Sequence, residues 1–301
     1  MTDPVIALHG ITKHYGRLVA VADLTLEVLA GEVFGFLGLN GAGKTTTIRV
    51  LLDLLRPTAG RASIFGRDCQ SDGLAVRAGI GYQPGEFGFY HDMTGEQTLG
   101  LLARLSGRGV DTAFRRRLCD RFELGAADLR RRLREYSTGM KRKLGIIQAF
   151  QADAPLLILD EPTEGLDPLM QEAFYGLLAE VRERGRTVFL SSHVLSEVER
   201  VCDRVAVLRG GRLALVSAVD EIRRLAPRRV NVSFDADVRA AETALPAGVS
   251  VVDTQPRLWT LHARGALGPL VRVLAGLPVK DIDVREPKLE DILIRYYRDA
   301  P

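Results

Sequence analysis

The chain has 301 residues, 46% of them hydrophobic, and a formal net charge of +3 with both signs interspersed. That length exceeds one average domain, and the near balance of charge argues against a dominant role on nucleic acid or another polyanion. Three cysteines, Cys69, Cys119 and Cys202, are odd in number and lack metal-ligand spacing, which fits a reduced cytosolic chain. No apolar run approaches the ~18 residues needed to span a bilayer. Met1 to Pro4 has no basic region followed by an apolar core, so the expectation is a chain soluble by itself, without a secretory leader.

Residues 5–8 and 24–28 alternate apolar and polar and predict an antiparallel edge sheet. Val33 to Leu37 is a short apolar run that reads as a buried parallel strand. Gly38-Leu39-Asn40-Gly41-Ala42-Gly43-Lys44-Thr45 follows, and Thr46 to Leu52 has helical spacing with no breaker until Pro57. Strand, glycine loop and helix together make the pattern G-x-x-x-x-G-K-[ST] a phosphate-binding loop. Glycines let backbone N–H groups curl around phosphate oxygens, and the helix N-terminus adds partial positive charge. Lys44 would meet the terminal phosphates of a nucleoside triphosphate, and the Thr45 hydroxyl would ligate Mg²⁺.

Residues 95–135 predict a mostly helical insertion. From Arg104 to Lys143 there are thirteen basic and five acidic residues. Two readings stand for this excess: a solvated helix face, or a face that meets acidic lipid or a partner's loops. Ser137 next offers a helix N-cap, with Thr138 and Gly139 opening a basic amphipathic helix. Leu156 to Glu161 is a second buried strand, ending in two acids. Asp160 suits the metal shell, and Glu161 could polarise water toward the γ-phosphate. Thr163 to Pro168 is a turn opening a helix. Thr187 to His193 is a further strand with a histidine at its C-terminal end, where ligands gather in open α/β sheets.

This ordered set resembles the nucleotide-binding subunit of an ATP-binding cassette (ABC) transporter over roughly residues 4–225. Gly38 to Thr46 resembles the Walker A motif, with Asn40, Gly41, Ala42, Gly43, Lys44, Thr45 and Thr46 as its nucleotide contacts. Leu156 to Glu161 resembles Walker B with a catalytic glutamate. Ser137 to Met140 resembles the family signature, Gly165 to Asp167 the D-loop, and His193 the switch histidine. Tyr15 sits where the family stacks an aromatic ring on adenine; an ordinary turn tyrosine is the alternative. The resemblance implies ATP and Mg²⁺ as ligands, with Lys44, Glu161 and His193 catalytic and Thr45 and Asp160 on the metal.

Two departures stand out. The signature usually has two glycines, and here the first is Thr138. In the glutamine loop, counting back from Phe89-Tyr90 puts the usual glutamine nearer Gly85, which leaves Gln83, Glu86 or no side chain for that role.

The expected organisation is an ABC cassette over 1–226 and an accessory domain over 227–301. The first would have a RecA-like parallel core, an antiparallel β subdomain and a helical subdomain. Pro227 ends the last helix of the cassette. Beyond it, Val230–Phe234, Val249–Val252, Leu258–Leu261 and Val279–Val284 read as strands, and Ala240–Leu245 and Leu267–Leu274 as helices. That βαββαβ order suits a small ferredoxin-like α+β sandwich. Leu289 to Leu293 and Glu164 to Met170 resemble drug and antibiotic exporter ATPases. The resemblance therefore implies a homodimer or paired cassette in the ATP-bound state, peripheral to the cytoplasmic face of the membrane. It would drive efflux of a hydrophobic drug or antibiotic through an integral membrane permease, with no nucleic-acid partner. The alternatives are a soluble ABC ATPase acting on ribosomes or DNA, and a nucleotide-sensing module with little turnover.

Overall fold

Two kinds of apolar pattern alternate along the first part of the chain, and they sort into two sheets. The computed structural model describes residues 4–225, 227–238, 243–286 and 292. Contacts divide the chain into two units, Met1–Val216 and Ser217–Pro301.

In the first unit, β1 (Ile6–Tyr15) and β2 (Leu18–Val28) form a hairpin longer than its alternation predicted. Tyr15 pairs with Leu18 across its tip, where Gly16 takes a positive φ of 57°. The fully buried β3 (Val33–Leu37) runs through the glycine loop into α1 (Lys44–Leu51). Next come β4 (Ala59–Ile64), β5 (Arg67–Asp68), α2 (Gly73–Arg77) and β6 (Ile80–Gln83). The antiparallel sheet has the order β2-β1-β4-β5.

The insertion is helical as expected: α3 (Gly95–Leu105), α4 (Thr112–Arg121), α5 (Ala126–Leu129) and one 3₁₀ turn at Leu133–Glu135. Its basic excess is partly answered locally. Arg132 and Arg134 reach Asp92, while Arg131 reaches Asp128 and Glu135. Helix α6 (Thr138–Phe150) begins at its Ser137 cap, whose hydroxyl accepts from the Met140 N–H at 3.2 Å.

After α6 come β7 (Leu156–Asp160), α7 (Pro168–Glu183), β8 (Thr187–Ser192), α8 (Leu195–Val201), β9 (Arg204–Arg209) and β10 (Arg212–Ala218). The second sheet runs β10-β9-β3-β8-β7-β6, with β9, β3, β8, β7 and β6 mutually parallel. Strands β3, β7 and β8 carry no exposed residue because parallel strands are covered on both faces. One core joins the sheets, with Ile6, Leu8 and Leu26 of the hairpin, Phe34 and Phe36 of β3, and Ile48 and Leu51 of α1.

The second unit begins at Ser217, before the break read at Pro227, and takes in α9 (Val219–Leu225). Its sheet has the order β12-β13-β11-β14, built from β11 (Arg228–Phe234), β12 (Val249–Gln255), β13 (Leu258–Ala263) and β14 (Val279–Arg285). All the pairings among its described residues are antiparallel. Helix α10 (Gly268–Leu274) contributes Leu270 and Leu274 to a core with Trp259, Leu261 and Val232. Of the helix expected over 240–245, residues 240–242 lie outside the described residues, and 243–245 are not helical. The segment 289–293 also lies outside them, apart from Ile292.

Helix α6 presses close on β6 at Gly81, where an added Cβ would sit 2.2 Å from the Ala149 carbonyl oxygen and 2.7 Å from Leu157 Cδ2. Gly81→Ala should therefore destabilise the first unit by about 1–3 kcal/mol, or more if the helix cannot shift. Gly176→Ala, on α7 with nothing near its missing Cβ, should be neutral or stabilising by up to ~1 kcal/mol. Urea midpoints at constant slope measure both; equal midpoints for the two variants would contradict this packing.

Candidate functional site

Three neighbouring parallel strands, β3, β8 and β7, lead at their C-terminal ends into the polar residues of the site. The loop after β3 supplies Lys44 and Thr45, β8 supplies Ser191 and leads to His193, and β7 supplies Asp160 and leads to Glu161. The loop's shape is dictated by crowding. Gly43 has a φ of 106°, and a Cβ there would lie 2.5 Å from the Ala20 carbonyl oxygen. No other residue type fits that position. The Ala42 N–H donates to the Leu39 carbonyl at 3.0 Å and closes the curl.

A cavity of about 440 Å³ opens above the loop. Its walls are Tyr15, Leu18, Val19 and Ala20 of the hairpin, Leu39, Asn40, Gly41 and Gly43 of the loop, Lys44 to Thr46 of α1, and Glu161. The two-residue hairpin turn brings Tyr15 to this wall, with 45% of its surface exposed. Tyr15 and the loop residues read from sequence thus meet at one cavity. Ala42 is buried just behind it. Ser137 and Gly139 are not part of this cavity; Gly139 faces the Gly165 carbonyl instead.

The polar end of the cavity is tightly wired. Thr45 Oγ1 donates to Asp160 Oδ2 at 3.0 Å, and Asp160 is almost wholly buried. Its other oxygen accepts from the Ser191 hydroxyl at 2.5 Å. Lys44 Nζ donates to the Gly38 carbonyl at 2.6 Å and pairs with Glu161 Oε1 at 3.0 Å. The second Glu161 oxygen contacts Nδ1 of His193. Glu161 has a φ of 49°, a left-handed conformation that costs a non-glycine residue of order 1–3 kcal/mol. Its N–H is held by the carbonyl and the hydroxyl of Ser191, at 3.2 and 3.1 Å. Burial, reinforced by Asp160, pushes the Tyr82 phenol up to about 12.

At the glutamine loop the structure agrees with the count back from Phe89-Tyr90, which points to Gly85 and leaves no side chain for the role. Gln83 is fully buried and its Nε2 donates to the Pro162 carbonyl at 3.4 Å, so it does not line the cavity. Glu86 is exposed. It is Gly85 that lies against the acid: a Cβ there would be 3.4 Å from Asp160 Oδ2. Ser191 was not singled out in the sequence, though a serine pair ending an otherwise apolar strand is a visible signal. Asp160 Oδ2 and Thr45 Oγ1 are two hard oxygens at the phosphate end. They fit Mg²⁺, which takes one or two protein oxygens and fills its shell from phosphates and water. Among the described residues, no cluster of three or more His, Cys, Asp or Glu forms an all-protein metal cage.

A family model described as ABC transporter matches residues 21–164. The chain is 35% identical to a daunorubicin resistance ATP-binding protein, DrrA3, of Streptomyces coeruleorubidus, over 99% of this chain and 98% of that one. It is 33% identical to the bacitracin transport ATP-binding protein BcrA of Enterococcus faecalis, over 95% and 94% of the two chains. A solved ATP-binding subunit of an ABC transporter superposes with a TM-score of 0.67 at 33% identity, covering 73% of this chain and 92% of that one.

In this arrangement the Glu161 carboxylate occupies Lys44, the cation at the polar end of the cavity. Glu161→Gln removes the competing charge, so ADP should bind about 3–10-fold more tightly, equivalent to ~0.7–1.4 kcal/mol. Fluorescence titration with ADP checks this, and unchanged or weaker affinity would contradict the contact.

Proposed function

Since the chain belongs to the ABC transporter family as an ATP-hydrolysing subunit, we propose that it powers export of a hydrophobic drug or antibiotic through a separate membrane-spanning permease. The observation that carries the chemistry is the meeting of Lys44, Thr45, Asp160, Glu161 and His193 at one end of one cavity. No described helix is long and apolar enough to cross a membrane, and the proposal assigns the transport path to another chain. Near full-length similarity to daunorubicin-resistance and bacitracin-transport subunits supports the substrate class, because the match extends through the second unit as well.

ATP enters with its base against Tyr15, Leu18 and Val19 and its phosphates over the loop. The N–H groups of residues 41–45 and the positive end of α1 hold the phosphate oxygens. Lys44 exchanges its Glu161 partner for the terminal phosphates. Thr45 and Asp160 would hold Mg²⁺, which when bound neutralises charge on the phosphates. Glu161, released from Lys44, turns to a water and polarises it toward the γ-phosphorus, while His193 keeps the carboxylate oriented and contacts the γ-phosphate.

Ser137 and Gly139 stand apart from this cavity in their own chain and serve the other copy. In the ATP-bound state two cassettes pair, and the signature helix of each caps the triphosphate held by its partner. ATP thereby favours the closed pair, because only that state offers it both surfaces. Hydrolysis removes this preference, and the permease at the cytoplasmic face of the membrane uses the resulting cycle.

Turnover should be present in the wild type and rise when the chain is reconstituted in vesicles with its permease. Lys44→Ala should abolish both activities, and Glu161→Gln should lower kcat by about 10²–10⁴-fold. Phosphate release with and without the permease is the measurement. A wild type inert in both settings would replace this reading with a nucleotide sensor.

A further inference from the structure

Arg142 is a buried cation that nucleotide binding does not use. It lies on α6, close behind the signature Ser137, with only 6% of its surface exposed. One end nitrogen donates to the Gly85 carbonyl at 3.0 Å, and the other meets Glu164 Oε2 at 3.3 Å. The guanidinium stands over the Phe87 ring, 5.2 Å from its centroid, and its Nε is buried without an acceptor. Burial pulls its pKa below the ordinary value, against the opposing pull of Glu164, Glu161 and Asp160.

Those contacts belong to a larger clamp. Helix α6 holds the end of β6 and the segment after it at three places. Gln148 Nε2 donates to the Tyr82 carbonyl at 2.5 Å, and Arg142 takes the Gly85 carbonyl. The Phe87 ring fills the notch at Gly145, where a Cβ would come within 2.1 Å of it. Helix and segment therefore move together. The segment's Gly85 is also the residue that lies against the Asp160 carboxylate. Gln83 is committed to Pro162, so no glutamine side chain spans the gap. The planar fork of an arginine suits this bridge, because two fixed donors reach a carbonyl and a carboxylate at once.

We propose that Arg142 is a positioning residue that couples the two ATP sites of the paired cassettes. When Ser137 and Gly139 engage the partner's triphosphate, α6 shifts, and Arg142 carries that shift to Gly85 beside Asp160 of its own chain. Each site's metal carboxylate is thus set by whether the other site is filled. This rests on the paired-cassette reading above.

The test is ATP turnover by the full chain, measured as a function of ATP concentration for wild type, Arg142→Lys and Glu164→Gln. Wild type should be cooperative, with a Hill coefficient well above 1. Arg142→Lys keeps the charge but lacks the planar fork. It should bring the Hill coefficient to about 1 and lower kcat roughly tenfold, while ADP affinity stays within about twofold. Glu164, 61% exposed, can be changed without threatening the fold, and Glu164→Gln should show a smaller loss in the same direction. A purely structural Arg142 predicts the opposite pattern: lower thermal stability and weaker ADP binding with cooperativity kept, which overturns the proposal. So does a Glu164→Gln variant with wild-type cooperativity, should Arg142→Lys fail to fold. A non-cooperative wild type overturns the paired reading along with it, whereas a cooperative wild type matched by both variants removes only the role of Arg142.

Discussion

The contact between Lys44 and Glu161 is the constraint on which the site turns. A buried ammonium needs a counter-charge, and the Glu161 carboxylate supplies it. In the proposed function, phosphate and carboxylate compete for this one lysine. On the proposed mechanism, a nucleotide that displaces Glu161 would also free it, so the base would become available only once its substrate had arrived. The left-handed backbone of Glu161 and its anchoring to Ser191 hold the residue where this exchange is possible.

The rest of the first unit serves to hold that end of the sheet. Strands β3, β8 and β7 lie side by side and fully buried, so their termini cannot slide without exposing core. Ser191, on the middle strand, ties both acids together: its hydroxyl donates to Asp160 and accepts from the Glu161 N–H. The antiparallel hairpin shares the core with β3 and α1, which fixes Tyr15 opposite the glycine loop. Helix α6 performs a different task. It clamps the end of β6 and the segment after it, which carries Gly85 against Asp160.

Much of this was legible in the sequence, and for identifiable reasons. The glycine loop, the acids after an apolar run and the capped helix at Ser137 are local patterns, set by sterics and hydrogen bonding over a few residues. The order of the strands in the second unit, and the strand-loop-helix run at the glycine loop, followed from periodicity, whereas the helix expected over 240–245 did not appear among its described residues. What escaped was nonlocal. The length of the β1–β2 hairpin depends on bulged pairing that breaks strict alternation. The contact made by Gln83 depends on Pro162, far along the chain; the count back from Phe89-Tyr90 pointed to Gly85 but not to the Asp160 carboxylate it meets. The basic stretch looked more charged than it is because its partners, such as Asp92, lie in other segments. Arg142 appeared as one more charge on a basic helix, and only packing sets it apart.

The claim under all of this is that two copies of the chain close on ATP and separate once it is hydrolysed. Light scattering of Glu161→Gln in ATP and in ADP tests it most directly. The account predicts twice the 33.0 kDa monomer mass with ATP and the single monomer with ADP. One mass in both nucleotides, with ATP shown to be bound, would contradict it.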